Sequence, residues 1–262
     1  MKTQKITEHI IHWLKTYANN AGVKGFVVGV SGGIDSAVTS TLCAKTGLPT
    51  ICVEMPIHQH QDQVNRAQEH IQQLKKRFSK VSDVKVDLSE SFETLKKVVP
   101  PSNNEDVLSL TLANTRARLR MTTLYYIAGL HSSLVVGTGN KVEDFGVGFY
   151  TKYGDGGVDI SPIADLMKSE VFAIGSYLEV PTAIQIAAPT DGLFGDSRTD
   201  EEQIGASYDE LEWAMKQKDN NKKVDDFSDR EKEVFSIYTR LNNINQHKIQ
   251  PIPVCEIPEN WK

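Results

Sequence analysis

Eight consecutive residues carry the densest chemistry in the chain: Gly29, Val30, Ser31, Gly32, Gly33, Ile34, Asp35 and Ser36. Adjacent glycines let a backbone turn sharply and bring peptide N–H groups close to an anion. Ser31 and Ser36 add hydroxyl donors, and the helix expected to follow offers its partly positive N-terminus to the same anion. The lysine of a GxxxxGK[ST] phosphate loop is missing, and the glycine spacing is not GxGxxG. Asp35 is what sets this loop apart. Two unit charges about 4 Å apart interact by about 4 kcal/mol at an effective dielectric of 20. A carboxylate beside a polyphosphate therefore calls for a divalent cation between them, and Mg2+ is the expected one. The plainer reading of Asp35 is a helix N-cap.

The elements that must hold this loop alternate. Ile6, Ile10, Trp13, Leu14 and Tyr17 recur at three- and four-residue spacing, one face of a helix. Residues 25–31 (GFVVGVS) form a short apolar run of the kind found in a strand covered on both faces. A helix is expected over 35–45, a strand over 50–56, a helix over 61–78, a strand over 84–89, a short helix over 91–99, a long helix over 107–129 and a strand over 133–139. Further helices are expected over 166–178, 209–218 and 231–243, with a proline-punctuated, extended tail. Residues 145–160 (FGVGFYTKYGDGGVDI) are too rich in glycine to be read as a core element. This alternation predicts an α/β fold, a doubly wound parallel sheet with a helical C-terminal portion, in one domain over residues 1–262.

Composition narrows the class. With 262 residues, 39% of them apolar, there are roughly 100 side chains to build a core, which excludes intrinsic disorder. A net charge of −5 argues against a nucleic-acid groove. No run approaches the ~20 apolar residues of a membrane span. Cys43, Cys52 and Cys255 make no CxxC pair, so neither a zinc site nor a disulfide framework is expected and a cytoplasmic setting is.

SGGIDS, residues 31–36, resembles the SGGxDS pyrophosphate-binding loop of the N-type ATP pyrophosphatases. That group includes NAD, GMP, asparagine and argininosuccinate synthetases and tRNA-modifying enzymes, which split ATP between its α- and β-phosphates. Four more stretches are similar to NAD synthetases: NTRARLRM (114–121), VVGTGNKVED (135–144), TKYGDGGVDI (151–160) and the pair His247 and Lys248. The resemblance covers nearly the whole chain. Two departures stand out: GTGNKVE replaces the more familiar bacterial GTDHAAE, and the FGVGFYTKYG spacing is a residue longer than the bacterial one. Residues 191–199 (DGLFGDSRT) match the family's acidic loop only loosely.

The resemblance implies an adenine nucleotide alpha hydrolase-like sheet and a ligase. Such an enzyme amidates deamido-NAD with ammonia, through an adenylated intermediate, to give NAD, AMP and pyrophosphate. It implies ATP contacts from residues 29–36, Thr138, Lys168 and Thr190, with Asp35 and Lys168 catalytic. Asp35 and Glu143 would hold Mg2+, and Arg118, Lys152, Asp159, His247 and Lys248 would contact deamido-NAD. Arg116 and Arg120 are left as surface or structural residues, because alternating positions on a helix cannot all face one way. Glutamine-using relatives carry an additional amidase domain with a cysteine nucleophile. The cysteines here fall in a helix, a strand and the tail, so no glutaminase domain is expected and free ammonia is the expected donor. Family members are homodimers, and the apolar character of the long helix fits that expectation. Another N-type enzyme, amidotransferase or tRNA-modifying, and a non-catalytic nucleotide-binding module of the same architecture are the alternatives.

Overall fold

The computed structural model describes residues 1–190, 192–193, 198–222 and 224–262. In chain order, α1 (Thr3–Asn20) leads into β1 (Gly25–Gly29), α2 (Ile34–Lys45), β2 (Thr50–Glu54), α3 (Gln61–Arg77) and β3 (Val81–Lys85). Then come α4 (Ser89–Val98), α5 (Glu105–His131) and β4 (Ser133–Val136). The C-terminal part holds a π-helix (Val142–Val147), α6 (Lys168–Tyr177), α7 (Thr182–Gln185), α8 (Asp200–Ile204), α9 (Tyr208–Asp219), α10 (Asp229–Ile244) and α11 (Gln246–Ile249).

The four strands are parallel, in the order β3-β2-β1-β4. Val27 lies opposite Ile51 on one side and Val135 on the other. Successive strand residues point to opposite faces, and both faces of β1 are covered. Phe26, Val28 and Val136 pack with Leu14, Val38, Leu42 and Ile174 from α1, α2 and α6. Val27, Val53 and Val135 pack with Phe92, Ile127 and Ala128 from α4 and α5. The chain runs outward through β2 and β3, then returns across α4 and α5 to place β4 on the far side of β1. That reversal opens a crevice at the C-terminal ends of β1 and β4, where open α/β sheets bind ligands.

A second core gathers Val142, Val147, Leu211, Ala214, Val234 and Tyr238 from the π-helix, α9 and α10. The starts of α9 and α10 are legible as S-x-x-E. Ser207 and Ser228 accept from the backbone N–H groups of Glu210 and Glu231, whose carboxylates reach back to the capping residues.

Three expectations need correction. The third strand lies over Val81–Lys85 rather than 84–89. The Phe78–Lys80 turn delivers the chain to the sheet edge early; Val86 and Leu88 still donate to Glu54 and Pro56 backbone oxygens, but beyond the regular ladder. The glycine-rich stretch is partly interior: Phe145, Tyr153, Asp155, Gly156 and Asp159 are exposed, but other parts of it are buried. Gly146 and Val147 are buried in the π-helix, and a Cβ on Gly154 would lie 2.8 Å from the Ala117 Cβ. Those glycines bring backbone against neighbouring side chains. The tail turns once more into α11 before becoming irregular, and the π-helix, α7 and α8 have no counterpart in the sequence pattern.

Candidate active site

The loop after β1 is built from its own polar atoms. The Ser31 N–H donates to Ser36 Oγ at 3.2 Å, the Gly33 N–H to Ser31 Oγ at 3.3 Å, and Ser36 Oγ–H to the Gly33 carbonyl at 3.0 Å. Gly32 has φ +85°, and a Cβ there would lie 2.4 Å from the Gln63 carbonyl oxygen, so only glycine fits. Gly33, with no side chain to contribute, is the N-cap of α2, and Asp35 sits inside the first turn. Asp35 is therefore not the cap. Its carboxylate points away to distant partners.

Its two direct partners come from two other segments, and a third segment reaches the cluster through Glu143. Asp35 Oδ1 accepts from Asn140 Nδ2 at 3.1 Å, just past β4, and Oδ2 from Lys168 Nζ at 2.6 Å, at the start of α6. The same ammonium donates to Glu143 Oε1 at 2.9 Å, and the Tyr208 hydroxyl donates to that oxygen at 2.6 Å from α9. The Tyr208 ring also lies 4.6 Å from Lys168 Nζ. Burial opposes every charge here. It raises Asp35, helped by Glu143 and resisted by Lys168. Burial also acts to raise Glu143, but Lys168 and the Tyr208 hydroxyl outweigh it and hold that carboxyl below its usual range. Burial would lower Lys168, yet the two carboxylates raise it, so the amine stays charged.

A cavity of about 280 Å³ opens on this cluster. All eight residues 29–36, with Thr138, Glu143, Lys168 and Thr190, line it. Four further lining groups escape the sequence pattern. Arg120 donates Nε to the Met55 carbonyl at 3.0 Å, the structural role expected of it, and also lines the cavity. Arg66 donates Nε to the Gly32 carbonyl at 3.3 Å. Asp155 accepts from the Thr151 N–H at 2.9 Å. Asp144 packs against Gly139, and burial, with Glu143, Asp155 and Asp35 nearby, pushes its carboxyl well up. Of the cluster's other unforeseen members, Asn140 is adjacent to a strand end and carries a positional signal. Tyr208 lies 65 residues beyond its partner Glu143 and carries none.

The family model described as NAD synthase matches residues 6–252. This chain belongs to the NAD synthase family. It is 36% identical to the NH(3)-dependent NAD(+) synthetase of Mesoplasma florum, with 95% of each chain covered. Among solved structures it is similar to the NMN synthetase from Francisella tularensis, at TM-score 0.83 and 30% identity over 99% of each chain. It is also similar to the NH3-dependent NAD synthetase from Campylobacter jejuni, at TM-score 0.78 and 25% identity, covering 98% of this chain and all of that one.

In this member of the NAD synthase family the expected dinucleotide contacts do not line the cavity. Four of the five gather beside it. Arg118 donates Nη2 to the Lys152 carbonyl at 3.3 Å, Lys152 Nζ donates to the His247 carbonyl, and Lys248 Nζ donates to the Gly148 and Tyr150 carbonyls, each at 2.9 Å. Tyr150, Gly154 and Asp155 from the same segment border the cavity. Asp159 stands apart, accepting from the Val135 N–H at 2.8 Å and the Tyr125 hydroxyl at 3.0 Å. Arg116 is structural as expected: it donates to the Leu193 carbonyl at 2.8 Å and lies over the Phe92 ring. Of the acidic loop read over 191–199, residues 191 and 194–197 lie outside the described residues.

Proposed function

We propose that the chain is an ammonia-dependent NAD synthetase. The nicotinate carboxylate of deamido-NAD attacks the α-phosphorus of ATP, forming a C–O–P bond and releasing pyrophosphate. Ammonia then displaces AMP, leaving the amide of NAD and one proton. The observation that carries this reading is the meeting of residues 29–36, Asp35, Glu143 and Lys168 around one cavity in a chain of this family. Loop N–H groups and Lys168 would face the charge that builds on the leaving pyrophosphate, a preorganised arrangement that favours such a transfer. Thr138 and Thr190 line the same cavity, which supports the proposal that they are further ATP contacts. Arg118, Lys152, Asp159, His247 and Lys248 are proposed to hold deamido-NAD.

The residues fit Mg2+ as a companion of the nucleotide. Six acidic side chains (Asp35, Glu54, Glu143, Asp144, Asp155, Asp200) line the cavity against three cations (Arg66, Arg120, Lys168) among the described residues. Burial already raises Asp35 and Asp144, so added negative charge is opposed. A polyphosphate entering such a site needs a cation of its own. Among the described residues no group of three or more acidic, histidine or cysteine side chains is arranged to hold an ion alone. This suits an ion held by one or two carboxylates plus substrate phosphates. Asp35 and Glu143 would be those carboxylates, and the ion would neutralise phosphate charge.

Among the described residues no helix is long and apolar enough to cross a membrane, and the cytoplasm is the proposed location. Val107, Leu110, Tyr126 and Leu130 are exposed along α5, which supports a homodimer through that helix. Sedimentation at the mass of one chain at every concentration overturns the dimer.

The likeness to an NMN synthetase favours a second reading, the same two steps performed on nicotinate mononucleotide to yield NMN. One assay separates them. The chain is supplied with MgATP and either deamido-NAD or nicotinate mononucleotide, with ammonia or glutamine as nitrogen source. Pyrophosphate release that requires deamido-NAD, with NAD formed from ammonia, is the expected result. Release that requires the mononucleotide selects the second reading, and release indifferent to both defeats the two together.

A further inference from the structure

The phosphate loop contains no lysine or arginine. The lysine brought beside it, Lys168, is engaged by Asp35 at 2.6 Å and Glu143 at 2.9 Å. Of the other lining cations, Arg120 donates Nε to the Met55 carbonyl just past β2, so its anchor is not the phosphate loop. Apart from the nucleotide's metal, the terminal phosphates would then meet peptide N–H groups and a lysine already paired with two carboxylates, although P-loops bring a dedicated lysine to the same task.

Helix α3 supplies a cation from outside the loop. It packs so tightly that a Cβ on Gly32 would lie 2.4 Å from the Gln63 carbonyl oxygen, 3.2 Å from the Ala67 nitrogen and 3.4 Å from the Arg66 Cβ. From this contact Arg66 donates Nε to the Gly32 carbonyl at 3.3 Å, which ties its guanidinium to the loop. Arg66 lines the cavity beside Ser31, Gly32 and Gly33. Among the described residues no carboxylate forms an ion pair with it. A guanidinium anchored through Nε keeps its two terminal NH2 groups for a phosphate, the forked geometry that suits Arg to this ligand.

We propose that Arg66 binds the terminal phosphates of the nucleoside triphosphate and the pyrophosphate that leaves, replacing the lysine its loop lacks. The proposal rests on the reading of the chain as an ATP-cleaving synthetase and adds a phosphate contact to that site. Arg66 is half-buried on a polar helix, so its removal should leave folding intact, which melting temperatures check.

The test compares the wild-type chain with R66Q and R66K. Calorimetry measures the affinity for MgATP and for inorganic pyrophosphate with magnesium, and kinetics measures KM for both organic substrates. R66Q is expected to weaken both phosphate probes about tenfold or more, with KM for deamido-NAD unchanged. R66K keeps the charge and is expected to retain most of the affinity. Wild-type pyrophosphate affinity in R66Q overturns the proposal. So does R66K weaker than R66Q, which would make the bond to Gly32, not the charge, the important feature. An equal loss towards deamido-NAD in R66Q also overturns it, as a sign of general distortion. A wild-type chain that binds neither phosphate probe defeats the synthetase reading itself, whereas unchanged binding in R66Q defeats only the role of Arg66.

Discussion

Two groups of basic side chains surround the same crevice, and they are held in opposite ways. Lys168 is almost fully buried, at 2% exposure, and its partners are two carboxylates from segments far apart in the chain. Arg118, Lys152 and Lys248 lie nearer the surface and are held mainly by backbone carbonyls. A buried charge persists only when its partners are placed by the surrounding fold. An outer charge that donates to carbonyls can leave them for a ligand at little cost. The inner group is thus built before substrate arrives, and the outer group is free to rearrange around it.

The contrast is most exposed at Lys168. Lys168→Met leaves Asp35 and Glu143 buried without their cation. Synthesis should fall by about a thousandfold, and stability by about 3–5 kcal/mol. Steady-state NAD formation and chemical denaturation check the two, and near-wild-type turnover would dissolve the distinction between the groups.

Behind the loop, the prediction concerns stability. His70 Nε2 lies 2.9 Å from Ser40 Oγ, whose hydrogen is directed to the Ser36 carbonyl at 2.7 Å, so Nε2 is the donor. Burial, with Arg77 adding to it, lowers the His70 pKa to about 4. The folded state thus resists a proton that the unfolded chain accepts near pH 6.5. The histidine's contribution is present above pH 6.5 and is lost as pH falls towards 4, by about 3 kcal/mol in all. Denaturation of wild type and His70→Gln across that window should show the wild-type curve falling more steeply. Parallel curves would remove His70 from the account.

Tyr208→Phe sharpens the comparison within the inner group. The ring over Lys168 remains while Glu143 loses a donor at 2.6 Å. A bond to a charged acceptor is worth about 1.5–3 kcal/mol, so kcat/KM for ATP should drop about tenfold or more, with KM for deamido-NAD unmoved. Matching losses for both substrates would point to a packing role instead.

The smallest effect belongs to the outer group. Lys152→Ala should raise KM for deamido-NAD by less than about tenfold, and stability should change by about 0.5 kcal/mol or less. KM for ATP should stay as it was. A shift in KM for ATP as large as that for deamido-NAD would show that the two groups act as one.

Much of this architecture is legible in the order of the residues. The apolar runs of β1, β2 and β4 and the periodic helices stand out, because burial on both faces and one-sided burial each leave a pattern in sequence. The pattern misplaces β3 by three residues because an edge strand is half exposed and alternates weakly. The glycine stretch misleads because glycine marks both loose loops and close packing, and only the neighbours of Gly146 and Gly154 distinguish them.

Within the site, sequence alone determined the loop over residues 29–36 and singled out Asp35, because strand, double glycine and helix start are adjacent in the chain. It did not show Lys168 seated between Asp35 and Glu143, Tyr208 bonded to Glu143, or Arg66 and Arg120 lining the cavity. Those contacts join residues 25 to 133 positions apart. Short-range pattern carries no record of such distances; the parallel sheet and the packing of α3, α5, α6 and α9 around it bring the charges together.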